Sequence, residues 1–325
     1  MTEPTMDAEL ADWLAATPLE ADEDATIEES REISGRAHLL AGQRLNPALI
    51  PASETDQVID GPAGPLPIRV LRPAGPDTRR PTAVYFHGGG WIAGTIDTHL
   101  HHARRICTQA DVVVVSVGYR LAPEHPFPAA FDDAVFATEW VARRTEELGG
   151  EPGTLILAGD SAGGQLAASV AIARRDAGQP VTAQLLLYPV TDVSGRYADP
   201  EVNARYMSRR TTGTNYGLTL QGMVTFATNY VDEESSTDWR VSPMRAADLT
   251  GVAPAVIHTA TLDVLRTEGN FYGDALRRAG VRVISREWPT LNHSYFGFGG
   301  VSAVADSAAA QAAEDLRELL AGGGN

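Results

Sequence analysis

Ser161 stands in Gly159-Asp160-Ser161-Ala162-Gly163-Gly164, after the apolar run Thr154-Leu155-Ile156-Leu157-Ala158 and before the helix-like Gln165-Leu166-Ala167-Ala168-Ser169-Val170. A serine on a sharp strand-to-helix turn exposes its hydroxyl, and the flanking glycines keep any Cβ from striking the neighbouring strand or helix. The helix that begins beside it aims unpaired N–H groups and its positive dipole end at the reacting centre. The chemistry this arrangement supports is attack on a carbonyl carbon. A G-x-S-x-G alone arises by chance, so its partners decide. His87-Gly88-Gly89-Gly90-Trp91 follows the strand-like Thr82-Ala83-Val84-Tyr85-Phe86. Successive glycines let backbone approach a carbonyl oxygen closely and aim N–H donors at it. Gly88 and Gly89, together with the N–H of Ala162, are the expected oxyanion donors, with Gly90 permitting the turn and His87 bracing the loop. The competing reading, a glycine-rich turn without a ligand, is weakened by the serine motif downstream.

The serine needs a base and the base an orienting carboxylate, in the chain order Ser, then Asp or Glu, then His. His293 lies in the loop-like Trp288-Pro289-Thr290-Leu291-Asn292-His293-Ser294, just after an expected strand. Its rival His258 sits inside the apolar run Pro254-Ala255-Val256-Ile257-His258-Thr259-Ala260, where a histidine satisfied within the strand is expected. Asp263 closes that strand and is the expected acid. One helix and one strand fit between it and His293, as a parallel crossover requires. Glu268 is expected on a helix flank with no line to the histidine, and turnover should therefore tolerate Gln there far better than it tolerates Asn in place of Asp263. Asp160 is expected to fix nearby backbone, and Asp132 and Asp133 to hold a loop or pack a helix.

The elements that must position these groups alternate along the chain. Strands are expected near 56–60, 66–72, 82–86, 111–117, 154–158, 182–188, 254–260 and 281–287, and helices near 98–110, 128–147, 162–177, 266–279 and 301–321. Val112-Val113-Val114-Val115 has the continuous apolarity of a parallel strand buried on both faces. The sheet is therefore expected to be mostly parallel, with antiparallel pairing among its first strands. Two helices, Asp7 to Ala16 and about Thr26 to Gly42, are expected before the core, separated by the acidic stretch Glu20 to Asp24. Residues about 191–245 interrupt the alternation with an insertion rich in aromatic side chains, among them Tyr197, Tyr206, Tyr216, Phe226, Tyr230 and Trp239.

The pairing of HGGGW (87–91) with GDSAGG (159–164), the segment Tyr119 to Ala130 between them and D-x-L-R-x-E-G at 263–269 resembles the hormone-sensitive-lipase-like esterases of the α/β-hydrolase superfamily. The likeness runs from about residue 55 to the C-terminus. It implies an α/β-hydrolase fold with a mostly parallel eight-stranded sheet, helices on both faces and a helical cap. It also implies a Ser161, Asp263 and His293 triad with no cofactor and no metal. The expected organisation is N-terminal cap helices in 1–50 and a catalytic domain in 51–325, with a cap insertion at about 191–245 that roofs the pocket. Candidate substrate contacts are Trp91, Tyr206, Tyr216 and Leu262. Two departures from the family's usual pattern, Val264 in place of Pro and Ser294 in place of Gly, alter the pocket near His293. The implied activity is hydrolysis of small or short-to-medium carboxylic esters. Alternatives are a dedicated deacylase or lactone hydrolase for one metabolite, or a ligand-binding protein on the same scaffold, like the plant gibberellin receptors that have lost the histidine.

Composition agrees. The 325 residues, 43% hydrophobic and 21% charged, suffice for one large core with a small cap. A net charge of −16 argues against nucleic acid and anionic membranes as partners. The expected partner is a small-molecule ester, with a second copy of the chain as a further candidate. Cys107 is the single cysteine, so no intrachain disulfide can form, and a buried role on a helix is expected. The chain has no lysine, which rules out a Schiff base or a Ser-Lys dyad on it. No run approaches the ~20 apolar residues of a membrane span, and the acidic first residues lack the features of a signal peptide. A cytoplasmic enzyme is expected. In His99-Leu100-His101-His102, a metal site on one helical face competes with a solvated helix start, and the latter is preferred for want of a partner motif.

Overall fold

The computed structural model describes residues 5–17, 19, 25–75, 78–212 and 216–322. Eight strands form one sheet: β1 (Ser53–Gly61), β2 (Gly64–Arg72), β3 (Arg80–Phe86), β4 (Val113–Val117), β5 (Gly150–Asp160), β6 (Ala183–Leu187), β7 (Ala255–Leu262) and β8 (Val283–Asn292). Their spatial order is β1-β2-β4-β3-β5-β6-β7-β8. The β1–β2 and β2–β4 pairs are antiparallel, and the remaining pairs are parallel. The eight expected strands are all present. β8 runs five residues beyond its expected end, which brings His293 directly after its last residue.

Side-chain alternation along the central strands separates two cores. Val113, Val115 and Val117 of β4 pack with α4 (Ala129–Arg144) and α5 (Ala162–Asp176), while Val112 and Val114 pack with α3 (Leu100–Ala110) and α10 (Ala303–Ala321). A strand covered on both faces has no polar side, which is why the valine run is continuous. α9 (Arg266–Arg278) adds Tyr272 and Leu276 to the first face. On the second, α1 (Ala8–Ala16) contributes Leu10 and Trp13, and α2 (Ile27–Gly42) contributes Ala41. Thr26 caps α2 with a reciprocal capping box to Glu29. The acidic stretch expected between these two helices, from residue 20 to 24, lies outside the described residues.

Three short helices occupy the insertion between β6 and β7: α6 (Pro200–Asn203), α7 (Met207–Thr211) and α8 (Leu220–Tyr230). A buried polar cluster ties them to α9. The guanidinium of Arg209 lies between the rings of Tyr197 and Tyr206, 4.1 and 4.2 Å from their centroids, and pairs with Glu268 at 2.5 Å. Glu268 also accepts from the N–H of Thr191 at 2.8 Å and from the Tyr197 hydroxyl at 3.1 Å. Glu268 does not touch His293, but it is a buried counter-ion rather than the helix-flank acid expected from its place in the sequence. A fully buried carboxylate is held by its counter-charge, and burial pushes its pKa up. Arg209→Met should therefore destabilise the fold by about 3–5 kcal/mol, because the remaining charge is buried without compensation. Urea unfolding tests this, and an unchanged midpoint would remove the pair from any structural role. Arg209→Met combined with Glu268→Leu should recover much of the loss.

Candidate active site

Gly159 and Gly163 allow β5 to turn directly into α5. A Cβ on Gly159 would overlap the backbone of Gly163, and one on Gly163 would overlap the Phe86 carbonyl. Between them Ser161 adopts φ 53°, ψ −118°. Left-handed backbone at a serine costs on the order of 1–3 kcal/mol and persists only where surrounding structure imposes it. Here the Ser161 N–H donates to Leu187 O at 2.9 Å, and Gln165 and Val190 donate to its carbonyl at 3.1 and 3.2 Å.

Strand register brings the other two groups together. Leu262 of β7 pairs with Asn292 of β8, so Asp263 and His293, each the next residue, leave the sheet side by side. His293 Nδ1 lies 2.8 Å from Asp263 Oδ2 and Nε2 lies 2.9 Å from Ser161 Oγ. The tautomer that satisfies both contacts donates Nδ1–H to the carboxylate and accepts the serine proton at Nε2. Asp263 is buried, and its other oxygen accepts the Leu265 N–H at 2.8 Å. The Tyr188 ring packs edge-on against His293 at 4.8 Å. His258 is spent elsewhere: its Nε2 lies 2.9 Å from Asp315 Oδ2, and its Nδ1 accepts from Trp288 Nε1 at 3.3 Å.

The assignment of Gly88 as an oxyanion donor is corrected by its hydrogen bond. Its N–H donates to Asp160 Oδ1 at 3.0 Å, an oxygen that also accepts from the Tyr85 hydroxyl at 2.5 Å. Asp160 thus holds the loop from below, and burial pushes its pKa up to about 6. Gly89 (φ 112°) and Gly90 (φ 60°) adopt left-handed backbone and line the cavity that also contains Ser161. Among the described residues the N–H groups of Gly89, Gly90 and Ala162 have no backbone acceptor outside regular elements. His87 braces the loop, its Nδ1 donating to Gly88 O at 2.7 Å and its ring stacked on Tyr119 at 4.3 Å.

A cavity of about 60 Å³ opens above Ser161 and His293. Leu19, Leu218 and Phe226 give it an apolar wall, and Ser34, His38, His99 and Ser294 a polar one. None of the four expected substrate contacts is among the residues lining it. Trp91 is buried, donating Nε1–H to Gln165 Oε1 at 2.9 Å and stacking on Tyr230 at 4.5 Å. The Tyr206 hydroxyl donates to Asp192, the Tyr216 carbonyl accepts from Asn292 Nδ2 at 2.7 Å, and Leu262 is buried in β7. Aromatic content in the insertion marked packing more than contact. Of the aromatic residues expected there, Phe226 faces the cavity.

The solvated helix start expected at 99–102 is also corrected. His99, His101 and His102 are buried, with ring centroids 4.9 Å apart for His99–His102 and 4.4 Å for His101–His102. α2 lays His38 against His99 at 4.6 Å, and Phe296 and Phe298 complete the enclosure. Among the described residues no group of three His, Cys, Asp or Glu side chains is arranged to hold a metal ion. Cys107 is buried in α3, and burial pushes its thiol up to about 12.

The family model described as alpha/beta hydrolase fold matches residues 83–297. Esterase LipI of Mycobacterium tuberculosis is 38% identical over 324 residues, covering 98% of this chain and 97% of the relative. Ethyl acetate hydrolase of Pseudomonas putida is 35% identical over 261 residues, covering 78% of this chain and 79% of the relative. A hyperthermophilic esterase from the archaeon Pyrobaculum calidifontis superposes with a TM-score of 0.87 at 34% identity, covering 97% of this chain and 99% of that one.

Proposed function

The chain belongs to the hormone-sensitive-lipase-like esterases of the α/β-hydrolase fold, and from that premise we propose that Ser161, His293 and Asp263 carry its carboxylesterase chemistry. The observation that supports this reading is the unbroken hydrogen-bonded line from Ser161 Oγ through His293 to Asp263. His293 Nε2 takes the Ser161 proton as Oγ attacks the ester carbonyl. Asp263 holds the ring in the competent tautomer and stabilises the imidazolium. The tetrahedral oxyanion is received by the N–H groups of Gly89, Gly90 and Ala162, in a site that needs no reorganisation as charge develops. His293 then returns its proton to the leaving alcohol. Water, activated at the same nitrogen, releases the acid from Ser161.

The roof over this site is read as α2 together with the insertion. Ser34 and His38 of the one, and Leu218 and Phe226 of the other, line a single cavity with Ser161. A small enclosed pocket limits the acyl chain by volume, which supports short-to-medium esters as substrates. The name of the Pseudomonas relative, an ethyl acetate hydrolase, points the same way. No described helix is long and apolar enough to cross a membrane. The lone cysteine is consistent with a cytoplasmic location as part of the same reading.

A p-nitrophenyl ester series from acetyl to palmitoyl tests this substrate range. Turnover should peak at short chains and fall by roughly 100-fold or more at long ones, as each methylene excluded from the pocket forfeits its burial. A flat profile, or activation by emulsified long-chain substrate, would refute the enclosed-roof reading.

A further inference from the structure

We propose that His38 and Ser34, one turn apart on α2, form a polar subsite that selects small neutral esters bearing a hydroxyl group. This rests on the esterase reading above and adds a substrate class to it. The two residues are four apart in sequence and therefore share a helix face, and both line the cavity that contains Ser161 and His293. His38 is only 6% exposed, and its Nδ1 is buried without a hydrogen-bond partner among the described residues. A buried ring nitrogen left unpaired costs free energy. That is a poor arrangement for a wall that meets only hydrocarbon.

The environment also fixes which polar group fits. Burial lowers the pKa of His38 to about 4, so at neutral pH the ring is uncharged, one nitrogen a donor and the other an acceptor. Ser34 adds a hydroxyl with the same dual capacity. Among the described residues no arginine lines the cavity, and the carboxylate that does, Asp160, is engaged by Gly88 and Tyr85. A substrate carboxylate would find no cation there, and a substrate ammonium no free anion. A hydroxyl, which donates and accepts at once, matches the pair. His38 is also held in place, its ring packed against His99 at 4.6 Å and stacked on Phe298 at 5.9 Å. Leu218 and Phe226 leave the other wall apolar, so hydrocarbon remains the complement for the rest of the molecule.

The hydroxyl could be carried by the acid or by the alcohol portion of the ester, and two matched pairs separate these sources. Methyl butyrate against methyl 3-hydroxybutyrate probes the acid side, and ethyl acetate against 2-hydroxyethyl acetate the alcohol side, with released acid titrated at constant pH. In the full-length protein one pair should show a kcat/KM ratio of about 10 in favour of the hydroxylated ester, the yield of one good hydrogen bond. His38→Leu should bring that ratio to about 1, His38→Gln should retain part of it, and Ser34→Ala should lower it by roughly 2–5-fold. A purely structural role for His38 would lower both members of a pair together and leave the ratio standing. Ratios near 1 in both pairs for the unmodified protein, or a ratio unmoved by His38→Leu and Ser34→Ala, would overturn the subsite while leaving the esterase reading intact. Failure to cleave any of the four esters would overturn both.

Discussion

Replacing His293 with Ala should lower ester turnover by about 10⁴–10⁶-fold, whereas His258→Ala should leave the turnover of folded protein nearly unchanged. The contrast follows from where each imidazole is committed. His293 bridges Ser161 Oγ and Asp263 Oδ2 at 2.9 and 2.8 Å, so its loss removes the base and the acid of both half-reactions. His258 is bonded to Asp315 beneath Trp288, and its removal leaves Asp315 with Arg286 as partner at 2.7 Å. Asp263→Asn should give an intermediate loss of roughly 10²–10⁴, because an amide in that position favours the wrong ring tautomer. Purified variants assayed on p-nitrophenyl butyrate, with circular dichroism to establish folding, decide the matter. Equal losses for the two histidine variants would sink the triad assignment.

The fold should lose stability steeply between pH 6.5 and about 4. Six histidines are buried with pKa values held down: His38 and His87 to about 4, His99, His101 and His102 well below the ordinary value, and His258 below it. Burial is the leading cause for all six, and within the cluster the histidines and neighbouring arginines oppose one another's protonation. The unfolded chain takes up protons near pH 6.5 that the native chain refuses. Stability is therefore fully present above that pH and declines as pH falls. His38 and His87 would each account for on the order of 3 kcal/mol by the time the native pKa near 4 is reached. Asp160, held up to about 6, and Glu268, also raised, act in the opposite sense, since the native state binds their protons first as pH falls. Burial raises Asp132 in the same way, and these three groups do not offset six. Urea midpoints measured from pH 8 to 4.5 should fall monotonically, and a level profile between pH 7 and 5 would show that the cluster is solvated or otherwise compensated.

Much of this molecule is written in short-range patterns. Period, run length and turn residues located all eight strands and the long helices, because backbone pairing and burial on two faces constrain which side chains a strand such as Val113–Val117 can carry. That Ser161, Asp263 and His293 come within hydrogen-bond distance was legible for a related reason: each sits where a strand ends, and strand ends in a parallel sheet share one edge. What failed were questions answered by residues far away in the chain. Which of three successive glycine N–H groups is left without an acceptor depends on the carboxylate of Asp160, which reaches across from the end of β5 and takes the one from Gly88. Whether His99 to His102 meet water depends on α2 and on Phe296 and Phe298 closing over them. Glu268 reads as a helix-flank acid until Arg209 arrives from the insertion. The sheet and the order in which Ser161, Asp263 and His293 reach its edge follow from local periodicity and chain direction. Which N–H groups lack an acceptor, which residues line the cavity and which charges are buried follow from contacts between distant parts of the chain, because a polar atom's role is set by the partner that reaches it first.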